Sequence, residues 1–224
     1  MNAQDRARIA QAVAKAEAGT SGEIVCVLAQ ECSAYREVPL AWAAALVLLL
    51  PPLLAPVRLW PLAWPGGGEW STGAQAVSPT AAVEVYALAQ ILLFVAAWLL
   101  ASIPAVRRIL TPGALKSHRV HRVAMQQFLA TGMASDPART GVMILGSLHD
   151  RRVEVLAEAG INGAVGGDAA WAAAVAAVQA GMRRGDLASG FADAARLCGE
   201  VLARHFPIGE ADNPNTVPDE LIEI

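Results

Sequence analysis

Apolar residues follow three different patterns along this chain. Ile9, Val13 and Ala16 fall on one side of a helix in the first twenty residues, and Gly19 stands where that helix would end. "EIVCVLAQ", residues 23–30, is a short apolar run and predicts a strand. Two long blocks without such punctuation come next. Val38 to Val57 is 20 residues with no charge, and Val85 to Val106 is 22 residues with Gln90 as the only strongly polar side chain. At 1.5 Å per residue each block is about 30 Å long, the thickness of a bilayer's hydrocarbon core. Together they predict a two-helix transmembrane hairpin. Pro51, Pro52 and Pro56 crowd the end of the first block and predict a kink or a stop near Leu50. A buried core helix or a re-entrant segment is the other reading of that block.

The stretch between the blocks, "RLWPLAWPGGGEWSTGAQAVSPT", carries Trp60, Trp64 and Trp70 among prolines and glycines. Tryptophan favours the headgroup level and Pro/Gly clusters mark loops, so an interfacial loop is expected there. Its "GGGEWSTG" lacks the lysine of a phosphate-binding loop and follows no strand.

Soluble patterning resumes after the second block. Val120, Ala124 and Phe128 recur every four residues and predict a helix over 113–133. "GVMILGSL", 141–148, predicts a buried strand. Val153, Val155 and Ala157 alternate, which predicts a second strand joined antiparallel to it through "HDRR". "NGAVGGD" predicts a glycine-rich loop, with Asp168 capping the helix "AAWAAAVAAVQAGMRR" that ends at Gly185. Leu187, Phe191, Ala195, Cys198 and Leu202 form the stripe of a last helix, which Pro207 stops. The remainder, 208–224, has five acids and no base and predicts a mobile tail.

This order gives an α/β fold: a three-layer α/β/α sandwich with a small mixed sheet, interrupted by a two-helix transmembrane hairpin. Residues 1–37 supply the first helix and strand, 38–106 the hairpin with its external loop, 107–207 the rest of the domain, and 208–224 the tail. A hairpin returns to the side it left, so the two halves of a soluble domain stay together. A single span would strand the first β-segment without a partner for its edge groups.

Charge refines the picture. Hydrophobic residues make up 55 % of the 224 positions and charged ones 17 %, and the apolar excess sits in the two blocks. Arg6, Arg8, Lys15 and Arg36 precede the first block, and Arg107, Arg108, Lys116, Arg119 and Arg122 follow the second, against Arg58 alone between them. The positive-inside rule therefore predicts a multi-pass protein of the inner (plasma) membrane with both termini cytoplasmic. The charged N-terminal segment lacks the apolar centre of a signal peptide. A net charge of −3 offers no field for nucleic acid, and none is expected as a partner. Cys26, Cys32 and Cys198 are an odd number in no metal-like spacing and read as reduced, buried residues.

"SGEIVCVLA", "RTGVMILGSLHDRRVEVLAEAGI", "NGAVGGDAAW" and "LARHFP", in this order, resemble the TPM domain family. That family is named after a thylakoid lumen protein, a photosystem II repair protein and a nematode receptor accessory protein. The resemblance covers roughly residues 1–35 and 115–207. It implies an α/β/α fold, and either weak acid phosphatase activity or divalent-cation binding, or an accessory role in membrane complexes. Asp150 and Arg151 stand where the family has a strand-turn Asp-Arg pair, and Asp168 where it has an acid after the glycine loop. The family's early aspartate has no match, and its Asn-Gly before the second strand is Thr140-Gly141 here.

Phosphomonoester chemistry needs positive charge on the phosphoryl oxygens and a metal or base to activate the attacking group. Asp150 and Asp168 are the candidate oxygen ligands for Ca²⁺ or Mg²⁺, and Arg151 and Arg152 the candidate phosphate binders. The competing readings are a turn residue for Asp150 and a helix cap for Asp168. His118 and His121 share a helix face, as a zinc pair or as part of a basic surface beside lipid headgroups. His149 reads as an exposed turn residue and His205 as a cation at a helix C-terminus. Function is thus expected to be that of an accessory or scaffold module with a membrane-protein partner and the lipid bilayer, or alternatively a phosphatase of low activity.

Overall fold

The computed structural model describes residues 1–54, 79–132, 140–208 and 219–224. These form two units, Met1–Ser33 with Gly113–Ile224, and Ala34–Pro112. The tryptophan-bearing segment and most of the acid-rich tail lie outside the described residues.

The first unit is built on a four-stranded sheet. Helix α1, Ala3–Glu17, starts at Asn2, whose side chain accepts from the Asp5 N–H at 2.7 Å. Strand β1 is Gly22–Ala29, β2 is Thr140–Ser147 and β3 is Arg152–Ala157. The final strand, β4, is Ile222–Glu223, and the order across the sheet is β3-β2-β1-β4. Strand β1 pairs parallel to β2, from Gly22 opposite Thr140 to Ala29 opposite Ser147. Strands β2 and β3 form an antiparallel hairpin, and β4 runs parallel to β1.

Every residue of β1 is buried, which explains why its sequence shows no alternation: both faces are covered. On one face Ile24, Cys26 and Leu28 meet Ile9 and Val13 of α1, Ile161 of α6 (Ala159–Val165), Val178 of α7 (Ala172–Arg184), and Phe191 and Leu202 of α8 (Leu187–His205). On the other, Val25, Val27, Met143 and Leu145 meet Val120, Ala124 and Phe128 of helix α5, Gly113–Ala130. Helices α7 and α8 approach backbone to backbone. A Cβ on Gly181 would lie 2.7 Å from the Asp186 carbonyl oxygen and 2.8 Å from the Gly190 Cα.

Three local expectations change. "NGAVGGD" is not all loop: α6 occupies its first half, and the turn is confined to Gly166 and Gly167, both near φ +89 and +88. Asp168 caps nothing; it opens a single 3₁₀ turn, Asp168–Trp171, that leads into α7. The tail ends in a strand rather than a mobile segment. Leu221 is buried, Ile222 packs on the α5 side of the sheet, and Glu223 meets Arg6 and the Met1 ammonium, each at 3.2 Å. That ammonium group holds the Glu223 carboxyl below the usual range. A two-residue strand is too short to leave a period in the sequence.

The second unit holds α2 (Glu37–Leu54), α3 (Pro79–Ser102) and α4 (Pro104–Leu110). Within α3, Val83–Ser102 is 20 residues long and apolar, with 6 % of it buried. It is the one unbroken helix among the described residues that is long and apolar enough to cross a membrane. The expected pair of equal spans is therefore corrected to one such helix. The apolar part of α2 is Glu37–Leu53, too short to match it, although the helix continues through Pro51 and Pro52 to Leu54. The second apolar block breaks at Ile103, which is extended at ψ 127, because proline at 104 disfavours a helical residue before it. Helices α2 and α3 pack together, and the Trp42 indole N–H donates to the Leu110 carbonyl at 3.0 Å.

Candidate functional site

The β2–β3 turn is where predicted site residues and chain connectivity coincide. Ser147 ends β2, fully buried, and its hydroxyl donates to Asp150 Oδ2 at 2.8 Å. The same carboxylate oxygen accepts from the Cys32 N–H at 3.2 Å. The N–H groups of Leu148 and His149 reach the carbonyls of Ala29 and Gln30, each at 3.0 Å. The turn is thereby fastened to the chain as it leaves β1. Asp150 is 7 % exposed, so its carboxylate serves this internal network, which is the turn reading. Arg151 closes the turn at φ +50, a left-handed conformation uncommon outside glycine.

Arg151 and Arg152 border a cleft of about 590 Å³ lined also by Leu148, Gln179, Met182 and Arg183. Arg152 extends toward the start of α5, where a Cβ on Gly113 would stand 3.1 Å from its Nη2. A Cβ on Gly146 would lie 2.9 Å from Met182 Cε and 3.0 Å from Phe191 Cζ, so a larger residue in β2 would displace those side-chain ends. Sequence reasoning missed Gln179 and Arg183, which come from a helix some thirty residues away. The available signal was Arg183 itself, which in isolation reads only as a cation in a helix's last turn.

Asp168 is placed elsewhere. Its carboxylate accepts from the Asn162 side-chain amide at 2.9 Å, and Asn162 in turn accepts from the Trp171 indole at 3.2 Å. These residues follow the far end of β3, beside a second groove of about 780 Å³ along that edge strand. The two aspartates bond different partners, Asp150 at the β2–β3 turn and Asp168 beyond α6. Among the described residues no group of three or more His, Cys, Asp or Glu side chains could hold a metal.

The histidines divide similarly. His118 accepts from Arg122 at 3.2 Å, whereas His121 contacts Glu154 of β3, so they do not converge as a zinc pair. His149 lies exposed, with Nδ1 at 3.9 Å from Glu31, and His205 sits in the last turn of α8. All three cysteines are free thiols. Burial pushes the Cys32 thiol up to about 11 and Cys198 up to about 12, and raises Cys26 as well, so none is a nucleophile near neutral pH. Glu17, at the end of α1, accepts from the Ile24 N–H at 2.6 Å. Burial pushes its carboxyl up to about 7, against the lowering effect of that hydrogen bond and with help from Asp219 and Glu23.

No family model matches the chain. No curated protein matches it either. Among solved structures, it is similar to the BA42 protein from the psychrophilic bacterium Bizionia argentinensis. That likeness has a TM-score of 0.55 at 17 % identity, over 100 % of this chain and 95 % of the other. At this identity the likeness concerns the fold.

Proposed function

We propose that this chain is an integral protein of the inner membrane whose cytoplasmic, TPM-like domain serves as an accessory or scaffold module of a membrane complex. The observation that carries the reading is the parallel pairing of β1 with β2 across an apolar insert. The insert leaves the domain after Ser33 and returns at Gly113. Cys32 bonds Asp150 and Gly113 lies against Arg152, so both junctions sit at the β2–β3 turn. Strands that pair must lie on one side of a bilayer, so the insert crosses an even number of times. If α3 crosses, the chain crosses again through the segment containing α2. At 18 residues α2 is about 27 Å long, a mismatch small enough for local bilayer thinning. The bond from Trp42 to Leu110 supports the same reading, since it joins the outgoing and returning arms of the insert. Exposed Leu48, Leu49, Leu92 and Leu100 give it a lipid-facing surface. The flanking arginines and lysines support a cytoplasmic side for both termini.

A metal-dependent phosphatase gains no support from the geometry, because its two proposed ligands bond different partners and no larger ligating group stands among the described residues. The test of topology is labelling with a membrane-impermeant maleimide in intact cells, in a Cys32→Ser background. Ser71→Cys should be labelled, and Gln126→Cys, on the exposed face of α5, should be labelled only after permeabilisation. The reverse pattern, or recovery of the chain in the soluble fraction, would overturn the proposal. The accessory role predicts that the chain, extracted in mild detergent, migrates in an assembly larger than its own oligomers.

A further inference from the structure

We propose that the groove along β3 binds an extended segment of a partner protein, which adds a strand to the sheet and alternates aliphatic with basic side chains. This deepens the accessory reading, on which it rests for the existence of a partner, by giving that partner's chemistry. Strand β3 is the outermost strand, and β2 is its one neighbour among the described residues. The Glu158 N–H bonds the Gly141 carbonyl at 3.2 Å, which fixes the phase of the ladder. In an antiparallel pair, alternate residues direct their N–H and C=O groups to opposite sides. The backbone groups of Arg152, Glu154, Leu156 and Glu158 therefore face β2, and those of Val153, Val155 and Ala157 point outward. An open edge of this kind is a template for a further strand.

The edge is walled as well as open. Met125 and Phe128 of α5 line the groove, as do Trp171 and Val175 at the start of α7, around a volume of about 780 Å³. Val153 to Ala157 are only partly buried, in contrast to the fully buried β1, so a strand laid on this edge would complete their cover. Charge selects the occupant. Glu154, Glu158 and Asp168 line the groove, and no lysine or arginine does. His121 is the one lining group able to carry positive charge, and it contacts Glu154. Among the described residues neither Glu158 nor Asp168 has a cationic partner. A second copy would bring the same carboxylates to the same edge, so a basic segment is favoured over self-pairing. Charged side chains on an edge strand also serve to repel further strands. Repulsion alone does not call for apolar walls, and Met125 stands exposed on one of them. Successive side chains of the occupant meet different walls. One set faces Glu154 and Leu156 on the α5 side, where basic groups fit, and the other faces Val153 and Val155.

The test uses the full chain in nanodiscs of phosphatidylcholine, which add no net charge of their own. A fluorescein-labelled peptide of about seven residues, alternating valine and lysine, matches the length of β3 and is titrated by anisotropy. Beside it run a peptide alternating valine and glutamate, and one in which prolines replace the central valines. Hydrogen exchange read by mass spectrometry follows residues 152–158. The valine–lysine peptide should bind and slow exchange in that segment. The proline peptide lacks the donors a ladder needs and should bind at least about tenfold more weakly. The E154Q/E158Q variant should lose about fivefold or more for the valine–lysine peptide, with its unfolding temperature as a check on folding. Glu200→Gln, exposed on α8, should change nothing. No binding, equal binding of the valine–glutamate peptide, or protection confined to other segments would overturn the proposal. So would an edge closed by self-association that the peptide does not disperse. Binding by a chain that migrates alone in mild detergent would support the groove and refute the accessory role, so the two readings fail separately.

Discussion

Replacing Glu17 by glutamine should abolish a pH dependence built into the junction of α1 and β1. In the wild type the carboxylate oxygen accepts from the Ile24 N–H, and an amide oxygen can do the same. Burial raises the Glu17 carboxyl from its ordinary 4.5 to about 7, with Asp219 and Glu23 adding repulsion. The fold therefore favours the protonated form. The stability this contributes is complete below pH 4.5 and is lost as pH rises through about 7. Taken at face value the change corresponds to about 3.4 kcal/mol at 1.36 kcal/mol per pH unit. Glu17 is only half-buried, and solvent screening reduces the figure to about 1–2 kcal/mol. Above pH 7.5, Glu17→Gln should thus be more stable than wild type by about that amount, or roughly 2–8 °C in unfolding temperature for a unit of this size. At pH 5 the difference should have shrunk to about a quarter of that. Scanning calorimetry of the full chain in one non-ionic detergent, from pH 5 to 8.5, measures this directly. Parallel curves for the two proteins, or a variant less stable at pH 8, would refute the reasoning.

Asp150→Ala should cost about 1–3 kcal/mol in urea unfolding, because it leaves the buried Ser147 hydroxyl and the Cys32 N–H without their acceptor, while Asp150→Asn should cost less. A fusion of residues 1–33 to 113–224 through a short Gly/Ser linker should be soluble and folded by circular dichroism. Its joined ends already meet at the β2–β3 turn, so loop closure adds little, and ending the same fusion at residue 208 should lower its stability by removing β4. Gly181→Ala should destabilise by about 1–3 kcal/mol through contact with Gly190 and Asp186. Gly163→Ala, with open space around it inside α6, should be neutral or stabilising by up to about 1 kcal/mol in the same thermal assay.

The sequence carried the elements better than the site. The stripe from Leu187 to Leu202 marks α8 because each apolar residue faces one core, and Gly185 and Pro207 bound it by backbone chemistry alone. Strands β1 and β2 were legible as continuous apolar runs because helices cover both faces. What lay beyond reach was distance between segments. Asp150 and Asp168 looked like partners because each neighbours a turn, yet each is taken up by a different local network. Arg151 and Arg183 looked unrelated because nothing local records that the β2–β3 turn folds over the end of α7. The break at Ile103 was readable from Pro104, but the apolar block on either side concealed it.

The position of β1 sets a timetable for the chain's synthesis. One neighbour of this strand, Thr140 opposite Gly22, is made 118 residues later, and the other, Glu223 opposite Leu28, 195 residues later. At about 5–20 residues per second, β1 waits roughly 6–24 s for β2 and about 10–39 s for β4. During that interval a strand of eight buried residues has both edges open, beside the two most apolar segments of the chain. The sheet is not complete until Ile222 and Glu223 have left the ribosome. A nascent chain arrested before residue 222 should expose β1 to proteases and chaperones.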